Sequence, residues 1–197
     1  MTRGGPALGD TGGHVTSQRR RPGLLAEAGR RWKYLMFWGH QPNADGSIGP
    51  SCLSQWWEAP FTVDGLSFAT AEHYMMWRKA TLFGDADAAG RVLAAGHPQQ
   101  AKGVGREVRG FSQAVWERER YGIVLAGSVA KFGQDEALRS YLLSTGDRVL
   151  VEASPVDAIW GIGLSARDGD AWHPQRWRGL NLLGFALMEA REQLVSG

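Results

Sequence analysis

With a single cysteine in 197 residues, Cys52 has no partner, so an internal disulfide and a thiolate zinc site are both excluded. Long apolar runs are also missing. Nothing approaches the roughly 18 consecutive apolar residues needed to span a bilayer, and the opening MTRGGPALGDTGGHVTSQRRRPG has no apolar core of the signal-peptide kind. A cytoplasmic chain without membrane contact is therefore expected. His40, His73 and His97 lack metal-ligand spacing. The segment AKGVGREV, Ala101 to Val108, resembles a phosphate cradle with its Lys102 and Arg106 but lacks the full spacing of a P-loop or dinucleotide fingerprint. No metal and no cofactor is expected.

What is present has ordinary globular proportions, 43% hydrophobic and 21% charged, enough for one domain with a sizeable core. The net charge of +2 is unevenly spread. Residues 1–33 hold seven Lys and Arg against Asp10 and Glu27, a balance of +5 that leaves 34–197 at −3. The basic character thus belongs to a Gly- and Arg-rich leader, expected to be disordered, ahead of a mildly acidic folded domain over 34–197.

Within that domain YLMFWG reads as a short buried strand, and PFTVDGLSF as a hairpin turning at Asp64-Gly65. Helices are predicted from Ala71 to about Phe83 behind an N-cap at Thr70, from Asp85 to Ala95, and from Pro98. A long helix capped by Ser112 should run to Phe132, weakened by Gly122 and Gly127, with a further one over DEALRSYLLSTG. RVLVEAS alternates as a strand, and Asn181 caps a last helix reaching Leu194. The fold class is α+β, one helix-dominated domain with a few short strands and no βαβ rhythm.

ATAEHYMMWRKAT, Ala69 to Thr81, sets a carboxylate, an imidazole, a guanidinium and an amine among apolar residues. Helical geometry places Glu72, Met76 and Lys79 on one stripe, because steps of four, three and seven residues return to nearly the same face. Two readings stand: an amphipathic helix with its polar edge in water, or one wall of an active site. In the second, the positive end of the helix favours ionised Glu72, suiting a base or a cation stabiliser better than a proton donor. In SPVDAIWGIGL, Asp157 and Trp160 sit on a glycine-broken loop where Gly161 and Gly163 allow close approach to a ligand, although Asp157 also suits a turn and Trp160 a core position. Nine tryptophans, several beside charges, offer surfaces for stacking a planar base, though most are expected to pack in the core.

Taken in order, FWG, LSQWWEAPFTVDGLSFATAEHYMMWRKATLFGD, AKGVGREV, VWERERYGIVLAGSVAKFGQ, LLSTGDRVLVEASPVDAIWGIGL and WRGLNLLGFALMEAREQL resemble the YbiA-like NADAR family of N-glycosidases over about residues 34–195. The resemblance implies hydrolysis of the N-glycosidic bond of a phosphorylated N-riboside. The substrate would be an early phosphoribosylamino-pyrimidine of riboflavin synthesis or an ADP-ribosylated guanine in a nucleotide or in DNA. It carries catalytic expectations onto Glu72, Trp116, Asp157 and Lys79, the lysine as an imine-forming residue. Trp160, Arg106, Arg78, Gly161 and Asn181 form the expected substrate-binding set, with an arginine on a phosphate and Trp116 or Trp160 stacked on the base. LSQ stands where LSN is usual and GLN where GKN is common, so Gln55 and Leu180 bear on which substrate edge is read. A non-catalytic module that binds ADP-ribose or a nucleotide is the alternative, and oligomeric state is left open.

Overall fold

The computed structural model describes residues 32–196 together with Gly23 and Leu25. The expected disorder of residues 1–33 falls almost wholly outside the described residues. Two strands, β1 (Tyr34–Phe37) and β4 (Val149–Glu152), pair in parallel with Tyr34 opposite Val149 and Phe37 opposite Glu152. Between them in sequence lie a hairpin, β2 (Phe61–Val63) and β3 (Leu66–Phe68), and five helices: α1 (Ala71–Leu82), α2 (Ala86–Leu93), α3 (Pro98–Arg106), α4 (Gln113–Gln134) and α5 (Glu136–Ser144). A sixth helix, α6 (Leu182–Ser196), closes the described chain. The helix-dominated α+β domain expected from the sequence is the fold observed.

Local signals act largely as read. Asp64 and Gly65 take φ of 51° and 77°, the left-handed pair that a tight hairpin turn needs. Phe61 and Phe68 meet across it and close on Tyr74 of α1 at 5.9 and 5.2 Å between ring centroids; each buried ring contributes about 2 kcal/mol. Thr70 caps α1, accepting from His73 N. Asp85 caps α2 through Ala88 N and also holds Arg109, whose guanidinium keeps the Asp85 carboxyl below its usual range. That link ties the start of α2 to the chain leaving α3. Gly122 and Gly127 do not interrupt α4, which runs unbroken for 22 residues.

Three expectations change. Ser112 stands at the N-cap of α4, but its hydroxyl makes no cap bond; its carbonyl accepts from Trp116 N instead. β4 does not alternate between core and solvent: Val149, Leu150 and Val151 are all buried. Leu150 faces the main core with Phe132, Leu183 and Leu187, whereas Val149 and Val151 face a second cluster with Ile162, Leu164 and Ala171. A strand covered on both sides loses its polar face. Asn181, finally, stands at the start of α6 with its carbonyl accepting from Phe185 N, but its side chain caps nothing: it sits at φ 52°, fully buried, with its side chain turned to β4. The first amides of α6 are met by the preceding loop, Leu182 N on Ile159 O and Leu183 N on Trp160 O. Carbonyls can satisfy helix-start donors as well as a side chain does.

Candidate active site

The start of α1 is tied down before any chemistry is possible. Glu72 N donates to Gln55 O at 2.9 Å, fastening the Ser54–Trp57 turn to the first helical turn. His73 Nε2 lies 3.1 Å from Ala95 O, which can only accept, so the proton is on Nε2 and Nδ1 accepts from the Thr70 hydroxyl at 2.8 Å. His73 is buried, held neutral by that burial, and fully partnered. It serves as a brace for α1.

The stripe read from the helix period faces inward. Glu72, Met75, Met76 and Lys79 line one wall of a cleft of about 190 Å³. Opposite are Lys102, Gly105 and Arg106 from α3, and Trp116 from the first turns of α4 closes one end. The Ser54–Trp56 turn, Glu152 at the end of β4, and Asp157 and Trp160 complete it. All four residues expected to be catalytic therefore come together, with Trp160 and Arg106. The other three of the expected binding set do not line the cleft. Arg78 lies off the stripe, its guanidinium 5.9 Å from the Trp77 ring. Gly161 acts through its lack of a side chain: a Cβ there would stand 2.8 Å from Glu152 O and 2.9 Å from Asp157 O. Asn181 Oδ1 accepts from Glu152 N at 3.0 Å and Nδ2 donates to Leu150 O at 2.9 Å, so it holds the strand that presents Glu152.

Electrostatics of the cleft are dominated by carboxyl groups shut away from water. Glu72 is 3% exposed, and its Oε1 has no hydrogen-bond partner. Burial pushes its pKa up to about 7, against the pull of Lys102, a hydrogen bond from Trp56 and the charge of Arg106, while Asp157 adds to the rise. Burial thus outweighs the helix N-terminus, which by itself favours the ionised form. A helix end is worth about 1 kcal/mol to a charge, less than the cost of burying one. Glu152 goes further, to about 8, through burial and the neighbouring Asp157 and Glu72, with Lys102 opposing. Asp157 Oδ1 accepts from Ile159 N and Trp160 N, both at 2.8 Å, so it is a turn residue and a cleft residue at once.

Lys79 is placed for either of two uses. Nζ donates to Gly105 O at 2.6 Å and lies 4.4 Å from the Phe111 ring centroid and 5.6 Å from that of Trp116. Burial lowers its pKa. Gly105 also leaves room for Met76, since a Cβ there would collide with Met76 Sδ and force that side chain to move. Lys102 and the exposed Arg106, one helical turn apart, form a cationic rim suited to a phosphate.

Glu152 is the cleft residue that the sequence reading passed over. An acid ending the apolar run VLVE was a signal, because a charged group at the carboxyl end of a parallel strand is where ligands are met. Gln55, expected to bear on the substrate edge, lines the cleft beside Trp56, and Leu180 does not. Cys52 is a bystander, buried, with its thiol pushed up to about 12 by that burial. A larger cavity of about 420 Å³ lies on the far side of Trp56, lined by His40, His73 and His97. Glu58 is its one acidic lining residue, so the convergence of acids belongs to the smaller cleft. Among the described residues no cluster of His, Cys, Asp and Glu could hold a metal ion, and no helix is long and apolar enough to cross a membrane.

Comparison with known proteins matches residues 36–195 to the NADAR domain model. The chain is 39% identical over 166 residues to N-glycosidase R617 of Acanthamoeba polyphaga mimivirus, covering 82% of this chain and 96% of that one. It is 34% identical over 136 residues to N-glycosidase YbiA of Escherichia coli, covering 69% of this chain and 76% of the relative. The solution structure of E. coli YbiA superposes with a TM-score of 0.66 at 28% identity, over 85% of this chain and 88% of that chain.

Proposed function

The chain belongs to the NADAR domain family, and from that premise we propose that it hydrolyses the N-glycosidic bond of a phosphorylated N-riboside, either an early riboflavin-pathway phosphoribosylamino-pyrimidine or an ADP-ribosylated guanine. It is a hydrolase acting on N-glycosyl compounds, as its relatives named N-glycosidase are. The observation that carries the finer reading is the meeting of Glu72, Glu152 and Asp157 in one small cleft beside a cationic rim and three indole rings.

Breaking a ribosyl C–N bond leaves the electron pair on nitrogen and builds positive charge on the anomeric carbon and ring oxygen. A carboxylate against that charge stabilises the transition state. Asp157, fixed by two backbone amides, is the group held in place for this. Glu72 takes a proton from the attacking water, a task for which a pKa near the working pH is suited. Trp116 and Trp160 stack on the base, and Lys102 and Arg106 hold a phosphate. Lys79 offers a second route: its neutral amine attacks the anomeric carbon as the base leaves, ring opening gives an imine, and water hydrolyses it.

A module that only binds ADP-ribose would gain nothing from carboxyl oxygens of Glu72 and Glu152 shut from solvent without a hydrogen-bond partner. Purified protein incubated side by side with a phosphoribosylamino-pyrimidine, an ADP-ribosylated guanine nucleotide and free NAD tests the proposal. Release of base and sugar phosphate from one of the first two is expected. Preferential cleavage of NAD, or binding without product, would overturn it.

A further inference from the structure

The reaction above has one proton unaccounted for. Asp157 faces the developing cation and Glu72 receives a proton from water, yet the nitrogen that departs with the bonding pair is a poor leaving group until it is protonated. We propose that Glu152 is the general acid of this site, giving its carboxyl proton to the departing nitrogen as the C1′–N bond breaks. The assignment rests on the N-riboside reading. Water oxygen then bonds to the anomeric carbon, its proton passes to Glu72, and exchange with solvent returns a proton to Glu152. The sum is riboside plus water giving free sugar and amine.

Geometry carries the assignment. Glu152 is pinned along its backbone: its N–H donates to Asn181 Oδ1 at 3.0 Å, its carbonyl accepts from Ile162 N at 2.9 Å, and it ends the strand opposite Phe37. From this fixed point the side chain enters the cleft, where Oε2 is shut from solvent and has no hydrogen-bond partner. A buried carboxylate oxygen left bare is costly, whereas a protonated one carries a donor ready for a substrate atom. The groups that face it from each neighbouring element are unequal. Glu72 comes from α1 and Asp157 from the following loop, both disfavouring a charge on Glu152, and Lys102 from α3 opposes them. Arg106 of α3 and Lys79 of α1 also line the cleft.

Comparison with Glu72 assigns the roles. The Glu72 carboxyl has Lys102, Arg106 and the Trp56 hydrogen bond in favour of its ionised form. Glu152 has two acids against its own and one cation in favour. Of two carboxyls in one cleft, each with an oxygen shut from solvent, the one on the acidic side keeps its proton longer.

A series of 5′-phosphoribosylamino-pyrimidines, with ring substituents that grade the basicity of the departing amine, tests this with wild type and Glu152→Gln. Loss of a general acid should deepen with leaving-group basicity, from about tenfold for the least basic amine to about 10³-fold for the most basic. Thermal melts establish that the isosteric variant folds. The wild type alone supplies a second readout: its high-pH decline in kcat/KM should be steep for basic leaving groups and shallow for acidic ones. An equal loss across the series, or a high-pH decline independent of the leaving group, would overturn the assignment while leaving the function standing. Absence of turnover by the wild type on every member and on an ADP-ribosylated guanine nucleotide alike would overturn both.

Discussion

Glu72 and Lys79 owe their chemistry to being taken out of water. Each stands on a helix face that would be solvated in an isolated helix, and each has its charged form disfavoured by burial, the acid raised and the amine lowered. Glu72→Gln and Asp157→Asn remove charge and keep shape, so each should cut turnover about 10²-fold or more with little change in melting temperature; near-normal rates in both would refute their roles. For Lys79 the two routes separate by trapping. Borohydride added during turnover should leave a reduced sugar adduct on Lys79, found by intact-mass and peptide analysis, if the imine forms. If no adduct appears and Lys79→Ala keeps most of its activity, the amine only supports Gly105 and the rings around it.

Among elements, the decisive junction is between β4, the Asp157–Gly161 loop and the start of α6. Asn181 sits at its centre, with both side-chain atoms committed to backbone groups of the strand that ends in Glu152. Asn181→Ala would leave a buried N–H and a buried carbonyl unpaired, at about 1–3 kcal/mol each. It would also place alanine at a positive φ, adding about 1 kcal/mol. A total loss of about 3 kcal/mol or more is expected in urea unfolding, together with lower activity, because Glu152 loses its anchor. A loss under about 1 kcal/mol would show that the junction relaxes. Lys131 plays the matching part on the other side. Fully buried on α4, it donates to Cys52 O and Ser54 O and so fixes the turn that carries Gln55 and Trp56.

At the scale of the whole molecule, the cleft acids make stability depend on pH in an unusual direction. Glu72 and Glu152 have folded pKa values raised to about 7 and about 8 above an ordinary 4.5. Their contribution is therefore complete below about pH 4.5 and is lost as pH rises through 7 to 8. Lys131, lowered to about 7 from 10.5, acts oppositely, stability rising between those values as the unfolded chain alone holds the proton. Subtracting each Gln variant from wild type isolates each acid. Relative to Glu152→Gln, the wild type should lose on the order of 3 kcal/mol between pH 5 and 9 in urea unfolding. A flat difference would show that Glu152 is ionised throughout.

Local chemistry was legible where it is decided by near neighbours. The Asp64-Gly65 turn, the Thr70 cap and the stripe of Glu72, Met76 and Lys79 follow from backbone geometry and helical period alone, and the ordered motifs pointed to the family and to a cleft built on α1. What the sequence could not determine depends on segments far apart in the chain. The parallel pairing of β1 with β4 spans most of the described residues and leaves no local periodicity. The burial of Glu72, which reverses the sign of its expected pKa shift, comes from α3 and the Ser54–Trp57 turn packing over the helix start. Glu152 looked like the polar end of an apolar strand, and Asn181 like a cap. Only the meeting of β4, α6 and the loop between them turned one into a half-buried acid lining the cleft and the other into its anchor, because desolvation is a property of everything packed around a group and not of its place in the sequence.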